Sequence, residues 1–374
     1  MVKKLVLQFK GPQPQPQQEE DYHSLLLLND SLLEIVTKYK DKITEYYKSR
    51  LWDKYKKLSN EYEHIFYSPN SHGNIALYNP VSRSFFKLWE ILHDFQNITF
   101  VNAPTPLKCV FIAEGPGGFF EAFYKKRQEL FPSLKDKYHG ITLKSNNNKN
   151  IPDWKTQESL PIKISYGKDG TGNLYKLENI QHFAKEVGYN SVDFITADGG
   201  FDFSSDFNNQ EEQSFKLIAS EVLSTMYLQR RGGVFLLKLY DCFNTDTLSI
   251  IQILKSSYET LYFIKPLTSR PANSERYILC HGFTGCKQEY ISKLESLLQV
   301  AAPLKLNLTY NVVYNIVLYN MYYTIRQVFY IQRTINYINF FKKQTDDSVM
   351  NHLLEKHTIK SKKWCKKYMI PYKL

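Results

Sequence analysis

Residues 108–127, KCVFIAEGPGGFFEAFYKKR, decide the fold. Lys108 to Ala113 is a short apolar, partly β-branched run. It opens into Glu114-Gly115-Pro116-Gly117-Gly118-Phe119, and the residues that follow keep a helical pattern. Strand, glycine-rich turn and helix make the first unit of a nucleotide-type α/β domain, in which glycines let backbone amides approach a ligand at a helix N-terminus. An ordinary tight turn would explain the glycines as well if the stretch stood alone. Further apolar runs follow at Tyr138 to Leu143, Val192 to Ala197, Gly233 to Tyr240 and Thr260 to Pro266, with helix-like stretches between most of them. That alternation predicts a mostly parallel sheet covered by helices on both faces. Ligands of such sheets bind outside the carboxyl ends of the strands, and Glu114, Asp198 and Lys238 fall at or near such ends. The turn is not a dinucleotide fingerprint, because Phe120 stands where the third glycine is needed, and there is no Walker motif.

Four charges sit beside apolar runs where an unpaired charge is costly: Lys87 in VSRSFFKLWEIL, Asp198 in VDFITADGG, Lys238 in GGVFLLKLYD and Glu275 in SRPANSERY. They are best explained by convergence on one polar pocket. Each has a plainer reading. Lys87 shares a helical face with Arg83, Glu90 and Asp94, opposite Phe85, Leu88, Trp89 and Leu92, which predicts a solvated face with a Lys87 and Glu90 pair. Lys238 could snorkel from a strand end. Asp198 could cap a turn, and Glu275 could pair on a hairpin.

AEGPGGF, the ADGG after Thr196, LLKLYD, SRPANSERY and SRSFFKLWEI together resemble the FtsJ-type RNA ribose 2′-O-methyltransferases, above all the cap-specific branch that modifies the first transcribed nucleotides of messenger RNA. The match runs from about Tyr78 to Phe283. It implies a Rossmann-like S-adenosylmethionine-dependent methyltransferase sheet, α/β in class, with helical N- and C-terminal extensions. It also implies a catalytic set of Lys87, Asp198, Lys238 and Glu275. Lys238 would be the general base, Lys87 the cation that lowers its pKa, and Asp198 and Glu275 the anions that orient both ammonium groups. Those anions push Lys238 the other way, so the direction of the sum stays open. S-adenosyl-L-methionine would lie against Glu114, Gly115, Pro116, Gly117, Gly118, Phe119, Asp169 and Asp198, with Asn173 where a second acid is expected. No metal is implied. The partners implied are RNA, chiefly a capped mRNA 5′ end, and other capping enzymes, with no membrane. Ribosomal or transfer RNA methylation, or a catalytically retired RNA-binding or virion subunit, would use the same fold.

The boundaries expected are a flexible Pro/Gln-rich segment at 1–20, a helical extension at 21–77, the methyltransferase domain at 78–290 and a helical, basic extension at 291–374. The chain has 374 residues and a formal charge of +11, which favours polyanions. From Phe341 onward nine lysines face three acids. Lys360, Lys362, Lys363, Lys366 and Lys367 could contact phosphates or merely solubilise, while Trp364 and Tyr368 predict a docked tail. Tyr310 to Phe341 is apolar, but Asn311, Asn315, Asn320, Arg326 and Arg333 interrupt it short of a membrane span. Cys109, Cys242, Cys280, Cys286 and Cys365 form no C-x-x-C pair and read as reduced thiols of an intracellular, cytoplasmic protein. The abundance of Tyr, Asn, Lys and Ile points to an AT-rich genome such as that of a large DNA virus.

Overall fold

The computed structural model describes residues 6–9, 19–47, 49–69, 71–145, 151–155, 160–201, 207–343 and 347–374. Strand β1 (Val6–Phe9) precedes α1 (Glu19–Tyr47), α2 (Leu51–Ser59) and α3 (Ser84–Asp94). Then follow β2 (Lys108–Ile112), α4 (Gly118–Leu130), β3 (Lys137–Ile141), β4 (Ile162–Ser165), α5 (Leu177–Val187), β5 (Val192–Ala197) and α6 (Gln210–Leu228). Next come β6 (Gln229–Tyr240), α7 (Thr245–Ser257), β7 (Tyr258–Ile264) and β8 (Glu275–Phe283), and after them α8 (Gln288–Val300), α9 (Tyr310–Lys343) and α10 (Asp347–Lys367).

The strands form one sheet in the order β1-β7-β8-β6-β5-β2-β3-β4. From β4 across to β6 every pairing is parallel, as the strand and helix alternation predicts. The other side departs from that pattern, because β8 is antiparallel to both β6 and β7, and β1 is antiparallel to β7. Strands β1, β4 and β8 are additions to the five runs read from sequence. Four-residue strands carry too few residues to show a period, and β8 opens on two charges, Glu275 and Arg276, that hide its apolar run. Val6–Phe9, within the segment 1–20 expected to be flexible, pairs its backbone with Leu261 to Ile264. The rest of the Pro/Gln stretch, up to residue 18, lies outside the described residues.

Both faces of the sheet are buried. Phe235, Leu237 and Leu239 join a core with α5, α6, α7, α8 and α9, while Val234 and Leu236 join another with α3, α4 and the end of α10. This is the period of two expected of a strand covered on both sides. Helix α9 packs instead of spanning a bilayer: no helix among the described residues is long and apolar enough to cross a membrane. Asn320, one of the residues that break its apolar run, is buried and donates to Asn29 Oδ1 at 2.9 Å and to the Cys242 carbonyl at 2.7 Å. Trp364 and Tyr368 are buried, so the C-terminal helix is docked as expected.

Chain order places a ligand site at one point. From β2 the chain moves outward to β3 and β4, then returns to lay β5 on the other side of β2. The crevice where strand order reverses lies at the ends of β2 and β5, where Glu114 and Asp198 stand.

Candidate active site

Strand register brings the four charges together. The antiparallel pairing sets Lys238 opposite Tyr277 and Tyr240 opposite Glu275, so these alternate residues share the face covered by α3 and α4. Lys87, one turn into α3, donates from Nζ to Glu275 Oε2 at 2.6 Å. Ser269 Oγ donates to the other carboxylate oxygen at 2.8 Å. Lys238 Nζ donates to the backbone oxygen of Asp198 at 2.7 Å and lies 3.2 Å from its Oδ1, which also accepts the Tyr277 hydroxyl at 3.0 Å. Two ion pairs therefore lie side by side at the strand ends. The second glycine of ADGG has a steric reason: a Cβ on Gly200 would come within 2.5 Å of the Tyr240 hydroxyl and 3.0 Å of Lys238 Nζ.

The solvated face of the plainer reading is only partly present: Asp94 is exposed, but Glu90 is buried and Lys87 pairs with Glu275. Glu90 is fully buried and accepts from the Leu267 and Thr268 amides at 2.8 and 3.2 Å and from Trp364 Nε1 at 3.2 Å. Arg83 donates to the carbonyls of Tyr62, Glu63, Phe66 and Thr268. A buried charge without such partners would cost several kcal/mol, on the order of the penalty for an isolated ion. Helix α3 is held by these contacts, and Lys87 is aimed by that packing.

Burial tends to raise the Glu275 carboxyl, but Lys87, Lys238 and Lys265 outweigh it and hold it at about 2. For Lys238 burial pulls the pKa down, whereas Asp198, Tyr240, Glu275 and Glu221 push it up and win. The ammonium is thus the resting form, and Lys87, the cation expected to lower it, is paired with Glu275. Burial pushes Tyr240 to about 12 and Glu221, beneath the Asp198 turn, to about 8. Glu221 Oε1 accepts the Gly199 amide at 3.1 Å. Lys265, buried at the end of β7, donates to the carbonyls of Asn273 and Glu275 at 2.8 and 2.6 Å and so fixes the approach to β8. Four further residues shape the site without having been singled out from the sequence: Lys265, Ser269, Tyr277 and Glu221. Lys265 is a lone charge closing an apolar run, Ser269 and Tyr277 are the two ends of the SRPANSERY stretch, and Glu221 carried no signal.

The residues expected to hold the cofactor fall into two groups. Gly117 has φ 105°, a left-handed conformation that only glycine adopts freely, and this turns the chain into α4 with its N-terminus toward the crevice. Gly118 is needed because a Cβ would sit 2.2 Å from the hydroxyls of Ser82 and Ser84, where α4 meets α3. A Cβ on Gly115 would strike the Pro152 carbonyl at 2.4 Å. Phe119 points inward, its ring 5.9 Å from that of Tyr277. Glu114 is 4% exposed, its Oε1 accepts the Thr196 hydroxyl, and its Oε2 has no hydrogen-bond partner among the described residues. That orphaned acid at the reversal point fits a cationic ligand. Asp169 is different: it accepts from Thr171, Lys176 and Asn179 and organises its own loop between β4 and α5. Asn173 likewise accepts the Tyr175 amide at 2.9 Å. No group of three or more His, Cys, Asp or Glu among the described residues is placed to hold a metal ion.

The family model for the FtsJ-like methyltransferases matches residues 80–283, the span that carries β2 to β8 and all four charges. A Trypanosoma brucei brucei protein named cap-specific mRNA (nucleoside-2'-O-)-methyltransferase 1 is 34% identical over 238 residues, covering 61% of this chain and 61% of its own length. Proteins of the same name from Dictyostelium discoideum and Homo sapiens are each 35% identical, over 188 and 179 residues, covering 46% of this chain and 25% and 21% of their own. The chain therefore spans less than two thirds of the length of these curated relatives.

Proposed function

The chain belongs to the FtsJ-like methyltransferases, and on that premise we propose that it transfers a methyl group from S-adenosyl-L-methionine to a ribose 2′-hydroxyl of RNA, at the cap-proximal nucleotide of messenger RNA. The observation that carries the proposal is the grip on Lys238 Nζ by both the backbone and the carboxylate of Asp198, beside the Lys87–Glu275 pair. The relatives named as cap-specific enzymes support the choice of RNA end.

A ribose hydroxyl is a weak nucleophile, so the site has to aim it and take its proton. S-adenosylmethionine, when bound, supplies a methyl on a positively charged sulfur. As the 2′-oxygen took that methyl and the donor left as a neutral thioether, the hydroxyl proton would pass to Lys238 Nζ. Lys238 must be an amine at that moment. The anions around it favour the ammonium, whereas desolvation beneath the RNA and a neighbouring cation favour the amine. Asp198, itself held by the Tyr277 hydroxyl, fixes Nζ through its backbone and carboxylate oxygens, and Glu275 holds Lys87, so both lysines are aimed in the protein alone. The +11 charge suits a polyanionic partner.

The test is methyl transfer from labelled S-adenosylmethionine to capped and uncapped forms of one short RNA, with the modified position located by mass spectrometry. Label on the ribose next to the cap, and little on uncapped RNA, is the expected result. Equal transfer to both forms would move the substrate to ribosomal or transfer RNA, and RNA binding without any transfer would make this a retired subunit.

A further inference from the structure

Glu114 is buried in a setting that an ionised carboxylate tolerates poorly. Besides Thr196, the charged and titratable groups facing it are Asp198 on the turn after β5, Glu221 on α6 and Lys238 on β6. Burial raises its pKa well above the ordinary range, Asp198 and Glu221 add to the rise, and the Thr196 hydrogen bond and Lys238 oppose it without prevailing. One carboxyl oxygen is left with no partner among the described residues, and a buried orphan of that kind in a native site calls for a ligand or an ion. Lys238 does not supply that partner: its Nζ donates to the backbone oxygen of Asp198 and lies 3.2 Å from Asp198 Oδ1.

We propose that Glu114 reads the positive charge of the methyl donor: it is a carboxylic acid in the free protein and gives up its proton as the cationic sulfur is seated. This deepens the reading above and rests on it, since it requires S-adenosylmethionine at the crevice between β2 and β5. The O–H bond of the acid breaks, the proton leaves to solvent, and the carboxylate faces the sulfonium as an ion pair. Once the methyl has moved, sulfur is a neutral thioether and the carboxylate loses its counter-charge. Glu114 then regains a proton from solvent, and the product is held less tightly than the donor. Discrimination between donor and product thus comes from a charge inside the protein, with no change of shape.

Calorimetric titration of the full chain at about pH 7, in two buffers of different ionisation enthalpy, counts the protons. For the wild type about one proton should be released per S-adenosylmethionine bound and close to none per S-adenosylhomocysteine. Glu114→Gln should abolish the release and bring the two affinities together, whereas Glu221→Gln, which alters the other raised acid, should leave the release intact. Equal release with both ligands, or release that persists in Glu114→Gln, overturns the inference. Binding without any proton release overturns it and leaves the methyltransferase reading standing. If neither ligand binds, the cofactor reading itself fails and takes the inference with it.

Discussion

Two buried ionic networks lie within a few residues of each other along the chain and have opposite characters. Lys238 and Asp241 are three residues apart at the end of β6, and Glu275 and Arg276 are neighbours on β8. Asp241 takes Lys40 of α1 at 2.5 Å on one oxygen and Arg276 at 3.1 Å on the other, and Arg276 reaches Asn320 of α9 at 3.0 Å. The side chains of that network are 2–4% exposed, against 8–14% for the Lys87–Glu275 and Lys238–Asp198 pairs. The first network is closed on itself and staples α1 and α9 to the sheet. The second leaves an edge toward the crevice, with a lysine held by an acid that also takes the Tyr277 hydroxyl. Burial of charge does not by itself mark chemistry. An open edge beside a ligand crevice separates the two.

The sharpest way to break that contrast is to delete the proposed base. Lys238→Ala should lower methyl transfer by about 10²–10⁴-fold, the usual range for an acid–base group, while calorimetry finds donor binding nearly unchanged. Because anions hold Lys238 protonated, the wild-type rate should rise with pH, and Asp198→Asn, by removing one of those anions, should move the midpoint of the rise to lower pH. A profile that is flat, or that moves to higher pH in the variant, would remove Lys238 from the role.

Next in size is the closed network. Asp241→Ala strands two buried cations and should cost about 3–5 kcal/mol in urea unfolding, with transfer per folded molecule largely kept. Loss of transfer at unchanged stability would erase the distinction between the networks. The smallest effect concerns the basic end of the chain. Lys360 is paired with Glu61 at 2.5 Å and Lys367 with Asp94 at 3.6 Å, which leaves Lys362, Lys363 and Lys366 as the sharper test. Neutralising those three should reduce the slope of log affinity for single-stranded RNA against log salt by roughly 0.7 for each phosphate that the variant no longer neutralises. An unchanged slope would make α10 a structural helix with a solubilising surface.

The strand, glycine turn and helix at 108–127 were legible because one short stretch contains its own evidence: apolar run, positive-φ glycine, amphipathic helix. The four charges were legible because each sits beside an apolar run and all four fall within motifs that share one family's order. The covered face of α3 was not, because helical periodicity sees only that helix and cannot know that Trp364, from 274 residues downstream, will cover the side on which Glu90 lies. Strand β8 was hidden by the two charges whose partners sit on other elements. The state of Lys238 was unreadable in principle, being a balance between burial and four acidic groups whose distances only the fold supplies. Asp169 shows the converse: an acid in the expected stretch whose oxygens are engaged by its own loop.

The cover over α3 is drawn from far along the chain. Trp364 reaches Glu90, the Tyr368 carbonyl accepts Trp89 Nε1 at 2.9 Å, and Leu77 donates to the Pro371 carbonyl at 2.8 Å, so the helix that aims Lys87 is clamped by residues 274 and 279 positions away in sequence from those they hold. Loss of that cover would free the face on which Glu90 lies and with it the aim of Lys87, so the acceptor side of the site depends on contacts that span most of the chain.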